Sequence, residues 1–158
     1  MANSLPSVPY PSNEPIKSYA PGSIEKKEVL STYENLYNSS IEIKMRIGNK
    51  DIKSDNKTSI YPPHDHKHKI GFYYKSDKNH IEQAIKSALE SRVKWSRMPW
   101  ESRAAIFLKA ADLIAGPFRA KINAATMLAQ SKTIFQAEID AACELIDFLR
   151  FNVYYMQQ

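Results

Sequence analysis

The sequence predicts a mainly helical α+β segment, with a small β element near the N-terminus and four helices after it. Three observations carry this. Residues 41–47, IEIKMRI, alternate apolar and polar without a break, the period of a half-buried strand. From Asp77 the apolar period changes from 2 to 3.6 and keeps that value to the end of the chain. Within that stretch Pro99, Gly116 and Pro117 mark where one helix stops and the next begins.

Residues 1–22 contain five of the nine prolines and no periodicity. Proline removes backbone donors and fixes φ, so this stretch reads as an extended arm, lying on something else or disordered. Ser23 suits the cap of a helix running to about Tyr37, with Leu30, Tyr33 and Tyr37 on one stripe. In the β element, 41–74, a strand at 41–47 turns through GNK into a partner around Asp51–Lys53, and strand-like pieces follow at 58–61 and 67–74. The helical part spans 77–158. Asp77 caps a helix whose stripe is Ile81, Ala84, Ile85, Ala88, Leu89 and Trp95. The second helix carries Ala104, Phe107, Leu108 and Ala111, the third opens at Pro117 and reaches about Gln130, and the fourth starts near Ile134.

Composition narrows the function classes. The apolar share is 43% and the charged share 25%, ordinary values for a soluble globular protein. No apolar run approaches the ~20 residues that span a bilayer, so no membrane role is expected. One cysteine allows neither an internal disulfide nor a cysteine-rich metal site, which fits a cytoplasmic protein. Between Lys44 and Arg97 there are 13 basic residues against 6 acidic ones. They are spread over strands, turns and a helix without stacking aromatics, so a solvated surface is the better reading than a nucleic-acid interface.

Several residue groups bear on chemistry. His64, His66 and His68 alternate in YPPHDHKHK and would share one face of a strand, where three imidazoles can hold zinc. The outer two would stand roughly 13 Å apart on a straight strand, and no distant ligand completes the set. A polar strand entrance, with Asp65 and the prolines making a turn, accounts for them better, and no metal is expected. Cys143 lies in mid-helix without an activating neighbour and reads as a buried structural thiol. Gly22, Gly48, Gly71 and Gly116 stand singly, so no phosphate-cradling loop is visible. Asp140, Glu144 and Asp147 form one acidic stripe on the last helix. It is either a wet face or a carboxylate looking into a pocket. That helix remains apolar where the chain stops, with Leu145, Phe148, Leu149 and Val153 needing cover, so the domain is expected to be incomplete.

SRAAIFLKAADLIAGPFRAKINAATMLAQSKT, Ser102–Thr133, and the following FQAEIDAACELIDFLRFN closely resemble the N-terminal part of aldehyde dehydrogenases. NEPIKSYAPGS at 13–23 and PPHDHKHKIG at 62–71 resemble the branch that oxidises L-glutamate γ-semialdehyde, the 1-pyrroline-5-carboxylate dehydrogenase branch. The resemblance implies that residues 23–158 are the incomplete first part of a Rossmann-like NAD-binding domain. It implies NAD as cofactor, L-glutamate γ-semialdehyde as substrate, a role in proline catabolism, and a homo-oligomer for the complete enzyme. The nucleophilic cysteine and the glutamate base then lie beyond residue 158, and the segment alone is expected to be inactive. Of the family's functional positions one carries over: Glu144 matches a residue lining the aldehyde pocket, where it would face the substrate's ammonium group. Ser131 departs from the glycine common at that place. The alternative from another class is a non-catalytic helical interaction module.

Overall fold

The computed structural model describes residues 7–158. Two compact units are present: the chain up to Asn35 together with Pro99–Gln158, and Leu36–Met98.

The second unit holds the strands and one long helix. The predicted strand at 41–47 is broken at Lys44 into β1 (Ile41–Ile43) and β2 (Met45–Ile47), because the two halves pair with different partners. β2 forms an antiparallel hairpin with β3 (Lys50–Ile52), Met45 opposite Ile52. β1 runs parallel to β5 (Gly71–Tyr74), which is antiparallel to β4 (Lys57–Ile60) on its other side, giving the order β1-β5-β4. The piece predicted at 67–74 is a strand only from Gly71; Pro62–His68 form two successive turns.

The long helix, α2 (Lys78–Arg97), begins where the sequence places it. Asp77 Oδ1 accepts from the His80 N–H at 3.0 Å, and His80 Nδ1 accepts from the Asp77 N–H. Its apolar stripe is correct in periodicity but is only partly covered. Ile81, Ile85 and Leu89 are each more than half exposed and Trp95 is 40% exposed.

In the first unit α1 (Ile24–Tyr37) is capped by Ser23, whose hydroxyl accepts from the Lys26 N–H. Its buried residue is Val29, and Leu30, expected on the inner stripe, is exposed. The helices α3 (Trp100–Ala115) and α4 (Arg119–Gln130) follow the Pro99, Gly116 and Pro117 signals closely. The last helix begins as α5 (Ile134–Ala137), capped by a reciprocal pair from Thr133 and Gln136, passes through a π segment (Glu138–Cys143), and ends as α6 (Glu144–Met156). Ala104 and Ala111 of α3 are buried, Ala111 against Ile146 of α6, and α3 packs along that helix. Ala111, Ala142 and Ile146 form the tightest core, ringed by Ile114, Ala115, Ile122 and Leu149. Of the α6 residues expected to need cover, Val153 is buried at 4% exposure and Leu149 half-buried, whereas Phe148 is 62% and Leu145 38% exposed.

Ser131 ends α4 in the left-handed region, φ 56° and ψ 29°. A β-carbon there costs roughly 1 kcal/mol against glycine. Ser131→Gly is therefore expected to raise Tm by about 2–4 °C, read by calorimetry. An unchanged or lower Tm would show that the serine's own contacts outweigh the backbone strain.

Candidate functional site

The π segment explains how the last helix organises its surroundings. Its i→i+5 bonding sets residue i+5 above residue i, so Glu138 and Cys143 both look toward Arg119. Glu138 is completely buried. It accepts the Lys17 N–H at 2.8 Å, the Tyr19 hydroxyl at 2.7 Å, the Asn123 amide at 2.8 Å and the Arg119 Nε at 3.2 Å. Arg119 Nη2 also donates to Glu138, and Arg119 Nη1 donates to Glu14. Glu14 in turn accepts from Arg150 at 2.6 Å. A buried charge this well paired is the arrangement that low dielectric demands. Burial pushes the Glu138 carboxyl upward, but Arg119 and the neutral donors outweigh it and hold the pKa at about 2.

These contacts hold the N-terminal arm. Residues 14–19 are tied to the helices through Glu14, Lys17 and Tyr19, and Tyr19 is kept at a φ of 51°, a conformation a bulky residue adopts only when its surroundings impose it. Farther out, Gln157 exchanges two hydrogen bonds with the Val8 backbone, and the Tyr10 ring meets Tyr154 and Phe151 edge-on. The arm is extended, and what it lies on is the last helix together with Arg119 and Asn123 of α4.

Glu144 opens α6 one residue past the π segment, is exposed, and borders a cavity of about 390 Å³. Asp147, one turn on, shares that cavity with Asn13 from the arm and Phe148, Phe151, Asn152 and Tyr155 from α6. Asp147 is already occupied: Oδ2 accepts the Asn13 amide and Oδ1 the Glu14 N–H, both at 2.7 Å. The cavity therefore combines two carboxylates, two side-chain amides and an aromatic wall, a lining suited to an organic cation or ammonium group. Asp140, the third acid of the stripe, pairs with Lys132 at 2.6 Å. The stripe thus divides among a surface ion pair, a clamped carboxylate and Glu144.

The histidines part company. Asp65 accepts the His68 N–H and Pro62 the Asp65 N–H in the two turns. The His68 ring stacks on Tyr37 at 3.7 Å between centroids, and its Nε2 lies 2.6 Å from the Tyr37 carbonyl. Among the described residues no group of three His, Cys, Asp or Glu side chains is placed to hold a metal ion. Cys143 is buried, and burial followed by repulsion from Glu138 pushes its thiol up to about 11, the reverse of what a nucleophile needs. The four glycines lie at separate places and none opens a helix, so the described residues do not form a dinucleotide phosphate cradle. No helix of the described chain is long and apolar enough to cross a membrane.

Sequence reasoning missed the Glu14–Arg119–Glu138 cluster. Each member is a single charged residue without a local signal, and its partners lie far along the chain.

Comparison with known proteins gives a consistent result. The profile described as "Aldehyde dehydrogenase family" matches residues 51–158. A protein of Agaricus bisporus named Delta-1-pyrroline-5-carboxylate dehydrogenase is 41% identical over 152 residues, 96% of this chain and 28% of that protein. The human mitochondrial protein of that name is 41% identical over 143 residues, covering 90% of this chain and 25% of its own length. A crystal structure of the Mycobacterium tuberculosis Delta-pyrroline-5-carboxylate dehydrogenase bound with NAD superposes with a TM-score of 0.96 at 40% identity, over 99% of this chain and 30% of that one. The chain thus spans between a quarter and a third of the length of these relatives.

Proposed function

The chain belongs to the aldehyde dehydrogenase family, and on that premise we propose that it forms the opening part of an NAD-dependent L-glutamate γ-semialdehyde dehydrogenase. The complete polypeptide would convert the aldehyde to L-glutamate in proline catabolism. The observation that carries the reading is Glu144, set by the π segment at the rim of the 390 Å³ cavity beside an aromatic wall. A carboxylate there pairs with the α-ammonium of an amino-acid aldehyde, which orients the chain and leaves the carbonyl end directed outward to the reacting groups. The 40% identity and TM-score of 0.96 to an enzyme of that name support the same assignment.

This segment's share of the chemistry is binding and orientation. NAD, when bound to the complete polypeptide, would supply the hydride acceptor. The described glycines form no phosphate cradle, and in this reading cofactor site, nucleophile and base all belong to other parts of the polypeptide. The more than half-exposed α2 stripe of Ile81, Ile85 and Leu89 supports a larger domain, since apolar faces of that kind are buried in a finished core. A homo-oligomer is part of the reading, as the family likeness implies. The cytoplasm is taken as the compartment from composition and the single cysteine, and the word mitochondrial in the names of relatives from human and Dictyostelium discoideum makes the mitochondrion its competitor. Cell fractionation separates the two.

The test is turnover by the complete polypeptide with L-glutamate γ-semialdehyde and NAD. Glu144→Ala is expected to lower kcat/KM for this substrate about tenfold, the loss of one charge-assisted contact. An aldehyde lacking the ammonium should be affected far less. Absence of any turnover by the unaltered protein would refute the assignment.

A further inference from the structure

We infer that Asn13, on the N-terminal arm, sets the specificity of the Glu144 cavity by occupying the Asp147 oxygen that would otherwise accept from a bound ammonium, a deepening that rests on the function proposed above. Glu144 and Asp147 stand three residues apart on α6 and border the same cavity, so both carboxylates compete for any cation that enters. Only one can hold an ammonium in a productive pose. Asp147 is removed from the competition by two donors at 2.7 Å, the Asn13 amide on Oδ2 and the Glu14 N–H on Oδ1.

The second donor is secured independently. The Glu14 side chain bridges Arg119 and Arg150, which locks its backbone in place, so the Glu14 N–H remains on Asp147 whatever stands at position 13. Asn13 is the adjustable half of the clamp. Its side chain is exposed and forms part of the cavity lining. With the amide gone, Oδ2 of Asp147 faces the cavity as a free acceptor, and the ammonium gains a second, unproductive site. Asn13 acts through Asp147 and is a positioning residue.

The experiment compares two probes differing only in the ammonium, L-glutamate and glutarate, by their binding to the complete polypeptide in calorimetry. It pairs these with kcat/KM for L-glutamate γ-semialdehyde. Asn13→Ala is expected to lower kcat/KM about threefold to tenfold, to leave glutarate affinity unchanged, and to tighten L-glutamate binding; unchanged binding of both probes would overturn the inference. Asn13→Ala combined with Asp147→Asn removes the freed charge while the Asn oxygen still accepts from the Glu14 N–H, so it is expected to restore kcat/KM. Equal weakening of both probes with a lowered Tm would mean a purely structural arm contact and overturn the inference, as would failure of the double variant to recover. Unaltered protein that binds both probes alike, with no ammonium preference for Asn13 to tune, would overturn it too. Unaltered protein that prefers L-glutamate yet turns over no aldehyde would sink the functional assignment alone, since the binding comparison still decides the role of Asn13.

Discussion

Replacing Arg119 with methionine is expected to destabilise the protein by about 3–5 kcal/mol, the cost of leaving a buried carboxylate without its counter-charge. Arg119 is 3% exposed and Glu138 fully buried, so solvent cannot substitute for the lost guanidinium. The two ends of the pair are not equivalent. Arg119 also donates to Glu14 and to the Pro15 carbonyl, so Glu138→Gln leaves the guanidinium with a carboxylate partner. Arg119→Met leaves Glu138 with only neutral donors and Glu14 with only Arg150. The arginine variant should therefore be the worse of the two in urea denaturation, and Arg119→Met with Glu138→Leu should recover much of the loss. A loss below about 1 kcal/mol for Arg119→Met would mean the pair behaves as if solvated.

The same variant has a pH signature. The folded Glu138 pKa of about 2 lies below its ordinary value of 4.5. A depressed carboxyl contributes stability that is fully present above the unfolded value and is lost as pH falls through the folded one. The unaltered protein should therefore weaken between about pH 4.5 and 2, and Arg119→Met should flatten that part of the curve. Hydrogen exchange at the Lys17 N–H, which donates to Glu138, should accelerate in the variant, because the arm is released at the point where the cluster holds it.

Local patterns carried the element order well and the long-range placements poorly. Asp77, Pro99, Gly116 and the Thr133–Gln136 pair act within a few residues, so their helices begin and end where local chemistry says. The split at Lys44 was not visible, because alternation fixes which face a residue occupies and says nothing of partners, and β1 chose β5 while β2 chose β3. The five arm prolines predict an extended arm, lying on something else or disordered, but not where it docks, since Lys17 meets an acceptor 121 positions later. Nothing adjacent to Glu138 marks it as buried. The π segment is invisible for a related reason, being a shift in hydrogen-bond register imposed by packing. Glu144 became a candidate through family likeness. Its neighbour's clamp by Asn13 came only from the folded arm.

Gly71→Ala is expected to cost on the order of 3 kcal/mol and to detach β1 from its sheet. Gly71 begins the central strand, opposite Ile41 of β1 on one side and Ile60 of β4 on the other. A β-carbon there would stand 2.1 Å from the Ile41 carbonyl oxygen, 2.9 Å from its carbon and 3.0 Å from its nitrogen. These are backbone atoms already committed to the ladder, so no rotamer change relieves the overlap and the strands themselves must separate. β1 is the edge of the sheet and gives way first. The Ile41 N–H, bonded to the Ile70 carbonyl at 2.9 Å, should then exchange faster. Glu42 should lose the Tyr74 hydroxyl it accepts at 2.5 Å. Gly22→Ala provides the contrast: its φ of 86° is foreign to alanine, but nothing lies within 4 Å of the added carbon. That variant should pay only the conformational cost, roughly 1 kcal/mol, and keep its strands. If the two variants melted together, steric closure of β1 on β5 would contribute nothing beyond backbone preference. The larger loss at Gly71 is what a β-carbon forced against a neighbouring strand's carbonyl requires.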